Sequence, residues 1–138
     1  MIVLDTNVVS EVMKDTVDVQ VQQWMNAQDT ASLYLSSITL VELLYGLRIM
    51  PEGKRRNRME NTLNGLLELF ENRILPFDTK AAYCCADLAA VARKAGRGFP
   101  PPDSYIAAIA ASNAFLVASR DKAPYEAAGV TVIDPWCG

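Results

Sequence analysis

Short apolar runs alternate with longer amphipathic stretches along this chain, and that alternation restricts the fold more than any other feature. "IVLD" at residues 2–5 is a β-branched run suited to a buried strand of a parallel sheet. "SLYLSS" (32–37), "AFLVAS" (114–119) and "VTVID" (130–134) read as further strands. "ILPF" (74–77) is a short extended piece, because the residue before Pro76 disfavours helix. Helical patterns fill the intervals. Asp5, Thr6 and Asn7 are all N-cap types and open a helix to about Met13. Val17, Val21, Trp24 and Met25 share one helix face in the segment 17–28. "ITLVELLYGLRIM" (38–50) is closed by Pro51 and Gly53, and Met59, Leu63, Leu66, Leu67 and Phe70 mark another amphipathic helix. "KAAYCCADLAAVARKAG" (80–96) ends on basic residues and Gly96, as a helix C-terminus prefers. The rigid loop "RGFPPPD" (97–103) delivers the chain to an alanine-rich helix, "SYIAAIAASN" (104–113). "RDKAPYEAAG" (120–129) is a loop or short helix, and "PWCG" is a tail. Strands alternating with helices predict an α/β fold with a mainly parallel sheet, in one domain over 1–138.

Chemistry is narrowed by an absence: the chain has 138 residues and no histidine. That excludes a Ser-His-Asp triad, a Cys-His dyad and any imidazole base. The three cysteines, Cys84, Cys85 and Cys137, lack CxxC spacing and do not make a zinc site. Two of them are adjacent and their number is odd, a poor disulfide framework, so a reducing cytoplasm is expected. No apolar stretch approaches the roughly 20 residues that span a bilayer. The apolar start follows no basic segment, so no signal peptide is expected. An enzyme of this composition would rely on carboxylates.

In a parallel α/β sheet, ligands sit outside the carboxyl ends of the strands. Asp5 ends the first strand, and Asp121 follows "AFLVAS" by two residues. Glu42 lies in the first turns of the helix after "SLYLSS", among Leu40, Val41, Leu43 and Leu44. Asp103 opens the alanine-rich helix, and a crossover helix antiparallel to its strands begins on the carboxyl side. Taken singly, Asp5 reads as a helix cap, Asp103 as a partner of the helix dipole, and Asp121 as a surface turn. Taken together, four acids are directed to one edge. Packed carboxylates repel and raise one another's pKa. No lysine or arginine accompanies Asp5, Glu42 or Asp103 in sequence. A divalent cation is then the natural counter-ion, and all-oxygen ligands select Mg²⁺ or Mn²⁺. Such a site lowers the pKa of a bound water and neutralises charge on a phosphodiester in flight.

"LDTNVVSE", "SSITLVELLYG", "PPDSYIAAIAAS" and "LVASRDKAPY", with "VTVIDPW" at the end, resemble a PIN-domain ribonuclease over essentially the whole chain. The likeness is to VapC-type toxins of bacterial toxin–antitoxin pairs, in their FitB-like branch. It implies a three-layer α/β/α fold and an endoribonuclease dependent on Mg²⁺ or Mn²⁺. It also implies an RNA substrate, a cognate VapB-type antitoxin and a homodimer. Carried over by position, Asp5 and Asp103 resemble the surest metal ligands, Glu42 the third acid, and Asp121 a more variable fourth. Thr6 resembles the hydroxyl that orients the first aspartate, and Ser119 does similar supporting work. One departure is Pro102, where the family has a small residue before the acid at the position of Asp103; proline is tolerated in a first helical turn.

Lys54, Arg55, Arg56 and Arg58 fall within "GKRRNR", where a helix start disfavours positive charge, so RNA phosphate is the expected use. Arg120 and Lys122 flank an acid of the candidate site and are further candidates for holding phosphate. Trp24 and Met25 present a face that reads as core or as a surface for a second copy or an antitoxin helix. The alternatives are a non-catalytic module that holds RNA or a partner, and a haloacid-dehalogenase-type phosphotransferase. The latter needs a second aspartate two residues after the first, where this chain has Asn7. A receiver-like signalling domain is disfavoured because "SLYLSS" ends in serines.

Overall fold

Five parallel strands in the order β3-β2-β1-β4-β5 form the centre of the molecule. In the computed structural model these are β1 (Ile2–Leu4), β2 (Leu33–Ser36), β3 (Ile74–Leu75), β4 (Leu116–Ala118) and β5 (Val132–Ile133). The helices are α1 (Thr6–Val12), α2 (Val19–Asn26), α3 (Ser37–Arg48), α4 (Lys54–Leu69), α5 (Thr79–Lys94), α6 (Asp103–Ser112) and α7 (Lys122–Ala127). The structure describes residues 1–137; Gly138, the end of the expected tail, lies outside the described residues.

The alternation of side chains along β1 divides the core into two layers. Ile2 and Leu4 pack with Val8, Val9, Leu35, Leu47 and Leu63, so α1, α3 and α4 cover that face. Val3 and Val117 point the other way, among Ile106, Ala107, Ala110, Ala92 and Tyr125 of α5 to α7. The result is the expected α/β/α sandwich. Every residue from Ile106 to Ala110 is fully buried. Small alanines let α6 lie close to both the sheet and α5, and the two isoleucines supply about 1.5–3 kcal/mol each on burial.

Several boundaries differ from the sequence reading for local reasons. "SLYLSS" stops pairing at Ser36, because Ser36 is already the N-cap of α3: its Oγ accepts the Thr39 N–H at 3.1 Å. "AFLVAS" begins pairing only at Leu116, since Ala114 sits at φ +59° in the turn after α6. "RDKAPYEAAG" contains a helix, α7. The segment 17–28 becomes helical at Val19, capped by Asp18, whose carboxylate accepts the N–H of Gln20 and Val21. Trp24 and Met25 pack half-buried against the first core layer, so they belong to the core rather than to a free partner face. On α4, Gly53 occupies the cap position at φ +152° with no side-chain cap, and Lys54, Arg55 and Arg56 crowd the positive end of the dipole.

Strand order fixes where a site can form. The chain leaves β1 toward β2 and β3, then returns on the other side of β1 to build β4 and β5. The direction of winding reverses between β1 and β4, which opens a crevice beyond their carboxyl ends. Asp5 and Ser119 are the residues that immediately follow those two strands.

Candidate active site

Asp5 is both the end of β1 and the N-cap of α1. Its backbone N–H extends the ladder to Ala118 O at 2.9 Å, while its side chain accepts the Thr6 N–H at 2.7 Å. The residue is only 3% exposed. A buried carboxylate needs hydrogen-bond donors to offset the loss of water, and three are present. Oδ1 takes the Thr6 N–H; Oδ2 takes the hydroxyls of Ser119 at 2.7 Å and Tyr125 at 2.9 Å. Two donors occupy Oδ2, so Oδ1 is the oxygen with capacity left for a ligand.

Ser119 is fully buried and makes three contacts: it donates to Asp5 and accepts from Asn7 Nδ2 and from the Asp121 N–H, both at 3.1 Å. It thereby joins the ends of β1 and β4 to the residue before α7. Asn7 Oδ1 completes the link by accepting the Arg120 N–H at 3.3 Å.

Glu42 reaches the same place from α3. Its Oε1 accepts the Thr6 hydroxyl at 2.5 Å. The family likeness assigns that hydroxyl to the first aspartate. Instead, Thr6 serves Asp5 through its backbone N–H and directs its hydroxyl to Glu42. Pro102 occupies the position before α6 without disturbing it, and Asp103 is the first helical residue. Asp121, exposed, stands at the start of α7.

Asp5, Glu42, Asp103 and Asp121, with Thr6, Asn7 and Ser10, line one open basin of about 340 Å³. Burial, followed by the charges of Asp5, Asp121 and Glu42, pushes the Asp103 carboxyl up to about 6. Burial and the neighbouring Asp5 and Asp103 also raise the Tyr125 phenol far above its ordinary range, so it is a neutral, permanent donor.

Among the described residues, no lysine or arginine lines the basin. The ion pairs among the described residues are Lys14–Glu11 and Lys122–Glu126, neither of which involves the four acids. Lys122, expected to hold phosphate, faces Glu126 at 3.7 Å in an exposed and weak pair. Arg120 lays its guanidinium over the Trp136 ring, 5.0 Å from the centroid. A hard, oxygen-binding divalent cation fits this donor set: anionic, all-oxygen and free of competing cations. The acids line the basin without closing on one another; no group of three or more His, Cys, Asp or Glu among the described residues is drawn into a ready coordination cluster.

The basic segment lies elsewhere. Arg55 and Arg58, with Lys14 and Thr62, line a groove that meets Met13 and Met59. The same two methionines belong to an apolar channel lined by Leu47 and Met50, whose other end is Thr6, Ser10 and Glu42. Pockets that share lining residues therefore adjoin one another from the acidic basin, along α1, α3 and α4, to the basic start of α4. Lys54 lies beside Arg55 in a further hollow, and Arg56 turns back to donate to Met50 O at 3.3 Å. Sequence reasoning did not identify Tyr125, which reaches Asp5, or Thr39, whose hydroxyl lies 3.0 Å from that of Thr6, as parts of the site. Both act by contacts between distant segments, and no local pattern marks them.

Comparison with known proteins gives a consistent result. The PIN domain family matches residues 2–130. The chain is 49% identical over 137 residues to the VapC ribonuclease Y4jK of Sinorhizobium fredii, covering 99% of this chain and 98% of that protein. It is 38% identical to Toxin FitB of Neisseria gonorrhoeae, covering 99% of each chain. The crystal structure of FitAcB from Neisseria gonorrhoeae superposes with a TM-score of 0.93 at 38% identity, over 99% of each chain.

Proposed function

From the premise that this chain belongs to the PIN-domain family, among the VapC-type toxins of toxin–antitoxin systems, we propose that it is a divalent-metal-dependent endoribonuclease. The chain as a whole is one such domain, acting in the cytoplasm, a setting in keeping with its free thiols Cys84, Cys85 and Cys137. One observation carries the reading: four carboxylates from four separate elements line a single basin that holds no cation of its own. A phosphotransferase of the haloacid-dehalogenase type is set aside by the family.

Asp5 would hold a metal with Oδ1, because Ser119 and Tyr125 already donate to Oδ2. Glu42 offers Oε2, its Oε1 being held by Thr6. Asp103 would add a third carboxylate; burial first and the neighbouring acids next raise its pKa, and a positive ion there would offset the repulsion. Asp121, exposed at the rim, is the fourth and acts more peripherally. Mg²⁺ or Mn²⁺ bound there supplies an activated water and stabilises charge on the phosphate. The protein's part is to fix the carboxylates and deliver the scissile phosphate to them. Arg55 and Arg58 take neighbouring phosphates at the far end of the groove, with Lys54 and, more weakly, Arg56 beside them; Arg120 and Lys122 do so at the rim.

The partners follow from the same surfaces. The groove is acidic at one end, apolar in the middle and basic at the other. It suits an extended or helical segment of a cognate VapB-type antitoxin, which would bar RNA from the acids. A second copy is expected against α3, where Val41, Tyr45 and Ile49 form an exposed apolar stripe at i, i+4 and i+8.

The test is digestion of total RNA by antitoxin-free protein in Mg²⁺, in Mn²⁺ and in EDTA, beside Asp5→Asn. Cleavage that needs metal and is lost in the variant is expected. Cleavage that persists in EDTA, or in the variant, would refute the assignment.

A further inference from the structure

Behind Glu42 a row of hydroxyls continues beyond Thr6 into the protein. Thr6 Oγ1 touches Glu42 Oε1 at 2.5 Å and Thr39 Oγ1 at 3.0 Å; Thr39 Oγ1 in turn lies 3.3 Å from Ser36 Oγ. Ser36 and Thr39 are fully buried. The carboxylate at the end determines every proton in the row. The Thr6 hydroxyl donates its proton to Glu42 Oε1. Thr6 has one proton, so at the next contact it must accept, and Thr39 donates. Thr39 has then spent its own proton and accepts from Ser36, the longest link. Ser36 closes the row by accepting the Thr39 backbone N–H at 3.1 Å. No hydroxyl is left without a partner, and reversing either hydroxyl–hydroxyl link would leave another contact in the row with no proton to share.

We propose that Ser36, Thr39 and Thr6 form a directed chain of hydroxyls that holds the Glu42 side chain aimed into the basin, making Thr39 and Ser36 positioning residues for the metal site. This rests on the metal-binding role of Glu42 given above. The anchor of the chain is structural: Ser36 is the last residue of β2 and the cap of α3, so its position is set by the sheet. Thr39 lies one helical turn before Glu42 on the same helix, and Thr6 opens the neighbouring α1. The row therefore ties the angle of the Glu42 side chain to the junction of two elements. Aligned hydroxyl dipoles reinforce one another, which favours a single rotamer for the carboxylate over the several it would sample if free.

The experiment is calorimetric titration of Mn²⁺ into the full-length protein and its Thr39→Val, Thr39→Ser, Ser36→Ala and Asp5→Asn variants, each shown to be folded by circular dichroism. Thr39→Val keeps the shape and the backbone cap bond but breaks the row. It is expected to weaken Mn²⁺ binding about tenfold, the usual size of such supporting contacts. Thr39→Ser restores the hydroxyl and should bind within about twofold of wild type. Should the valine variant not fold, Ser36→Ala carries the test, with a smaller loss expected in the same direction. Equal loss in the valine and serine variants would show that packing, not the hydroxyl, matters, and would overturn the proposal. Wild-type affinity in Thr39→Val, or in Ser36→Ala if that variant carries the test, would overturn it too, provided Asp5→Asn has lost binding. If Asp5→Asn also binds as wild type, the metal site itself is wrong and the chain of hydroxyls falls with it.

Discussion

Tyr125 donates its hydroxyl to Asp5 Oδ2 at 2.9 Å, across 120 positions of sequence. The ring is fully buried and meets Phe99 edge-on, at 5.6 Å between centroids. The contact places α7, the penultimate element, directly behind the carboxylate that ends β1. Tyr125→Phe removes that donor and nothing else. A hydrogen bond to a charged group contributes about 1.5–3 kcal/mol, so a loss of roughly that size should appear in urea unfolding. RNA cleavage should fall about tenfold or more, as supporting contacts at metal sites generally require. Unchanged cleavage in a measurably less stable variant would assign Tyr125 to the core alone.

Asp103 gives a pH dependence of stability. Its carboxyl is pushed up to about 6 from an ordinary 3.8, by burial first and by Asp5, Asp121 and Glu42 next. Asp103 also stands in the first turn of α6, where the dipole favours a negative charge, so the net rise shows that burial and repulsion win. The folded chain keeps this proton where the unfolded chain has released it. In metal-free protein the associated stability is present below about pH 4 and lost as pH rises through about 6. The group is half-exposed and screened, so the loss at pH 7 is on the order of 1 kcal/mol. Asp103→Asn should therefore raise the urea midpoint at pH 7 and leave it nearly unchanged at pH 4. A midpoint at pH 7 equal to or below wild type would contradict the repulsion.

The four acids were legible in the sequence because each is tied to a local event. Asp5 ends a β-branched run, Asp103 opens an alanine-rich helix after prolines, and Glu42 and Asp121 follow strands closely. Strand–helix alternation then carries them to one edge. Their supporting contacts were not legible, since they arise only when separate elements pack. Thr6 could have served either acid by sequence; only the approach of α3 to α1 turns its hydroxyl to Glu42. Trp24 and Met25 show the same limit. A helical stripe reveals that a face is apolar but not what covers it, and here the core does.

Metal binding should be visible without RNA. A ligand that binds only the folded chain stabilises it by about 1.4 kcal/mol at tenfold excess over its dissociation constant. Mn²⁺ or Mg²⁺ should raise the melting temperature of wild type in a thermal melt, and EDTA should reverse the gain. Asp5→Asn should show no such rise. A rise of equal size in that variant would place the ion elsewhere on this acidic chain.

The stripe of Val41, Tyr45 and Ile49 on α3 leaves these side chains 62%, 65% and 64% exposed. If a second copy covers them, Tyr45→Lys should turn a dimer into a monomer in sedimentation, with the melting profile of the subunit kept. A wild-type protein that sediments as a monomer at micromolar concentration, or a variant that stays dimeric, would remove this face from the account.

Arg55 stands exposed in the first turn of α4, where the dipole works against it, and it lines the far end of the groove. A residue retained for phosphate there sets binding against stability, so one substitution should move the two in opposite directions. Arg55→Glu replaces an unfavourable charge with a favourable one and should stabilise the fold by about 0.3–1 kcal/mol. It should also weaken RNA binding and reduce the slope of log affinity against log salt by about 0.7 for one lost phosphate on a single strand. The slope is best measured in the Asp5→Asn background, where RNA is expected to remain uncut. A more stable protein with an unaltered salt slope would return Arg55 to the solvated surface. A reduced slope in Arg55→Glu, matched by a like reduction in Arg58→Ala, would trace the path of the RNA from the acids to the start of α4.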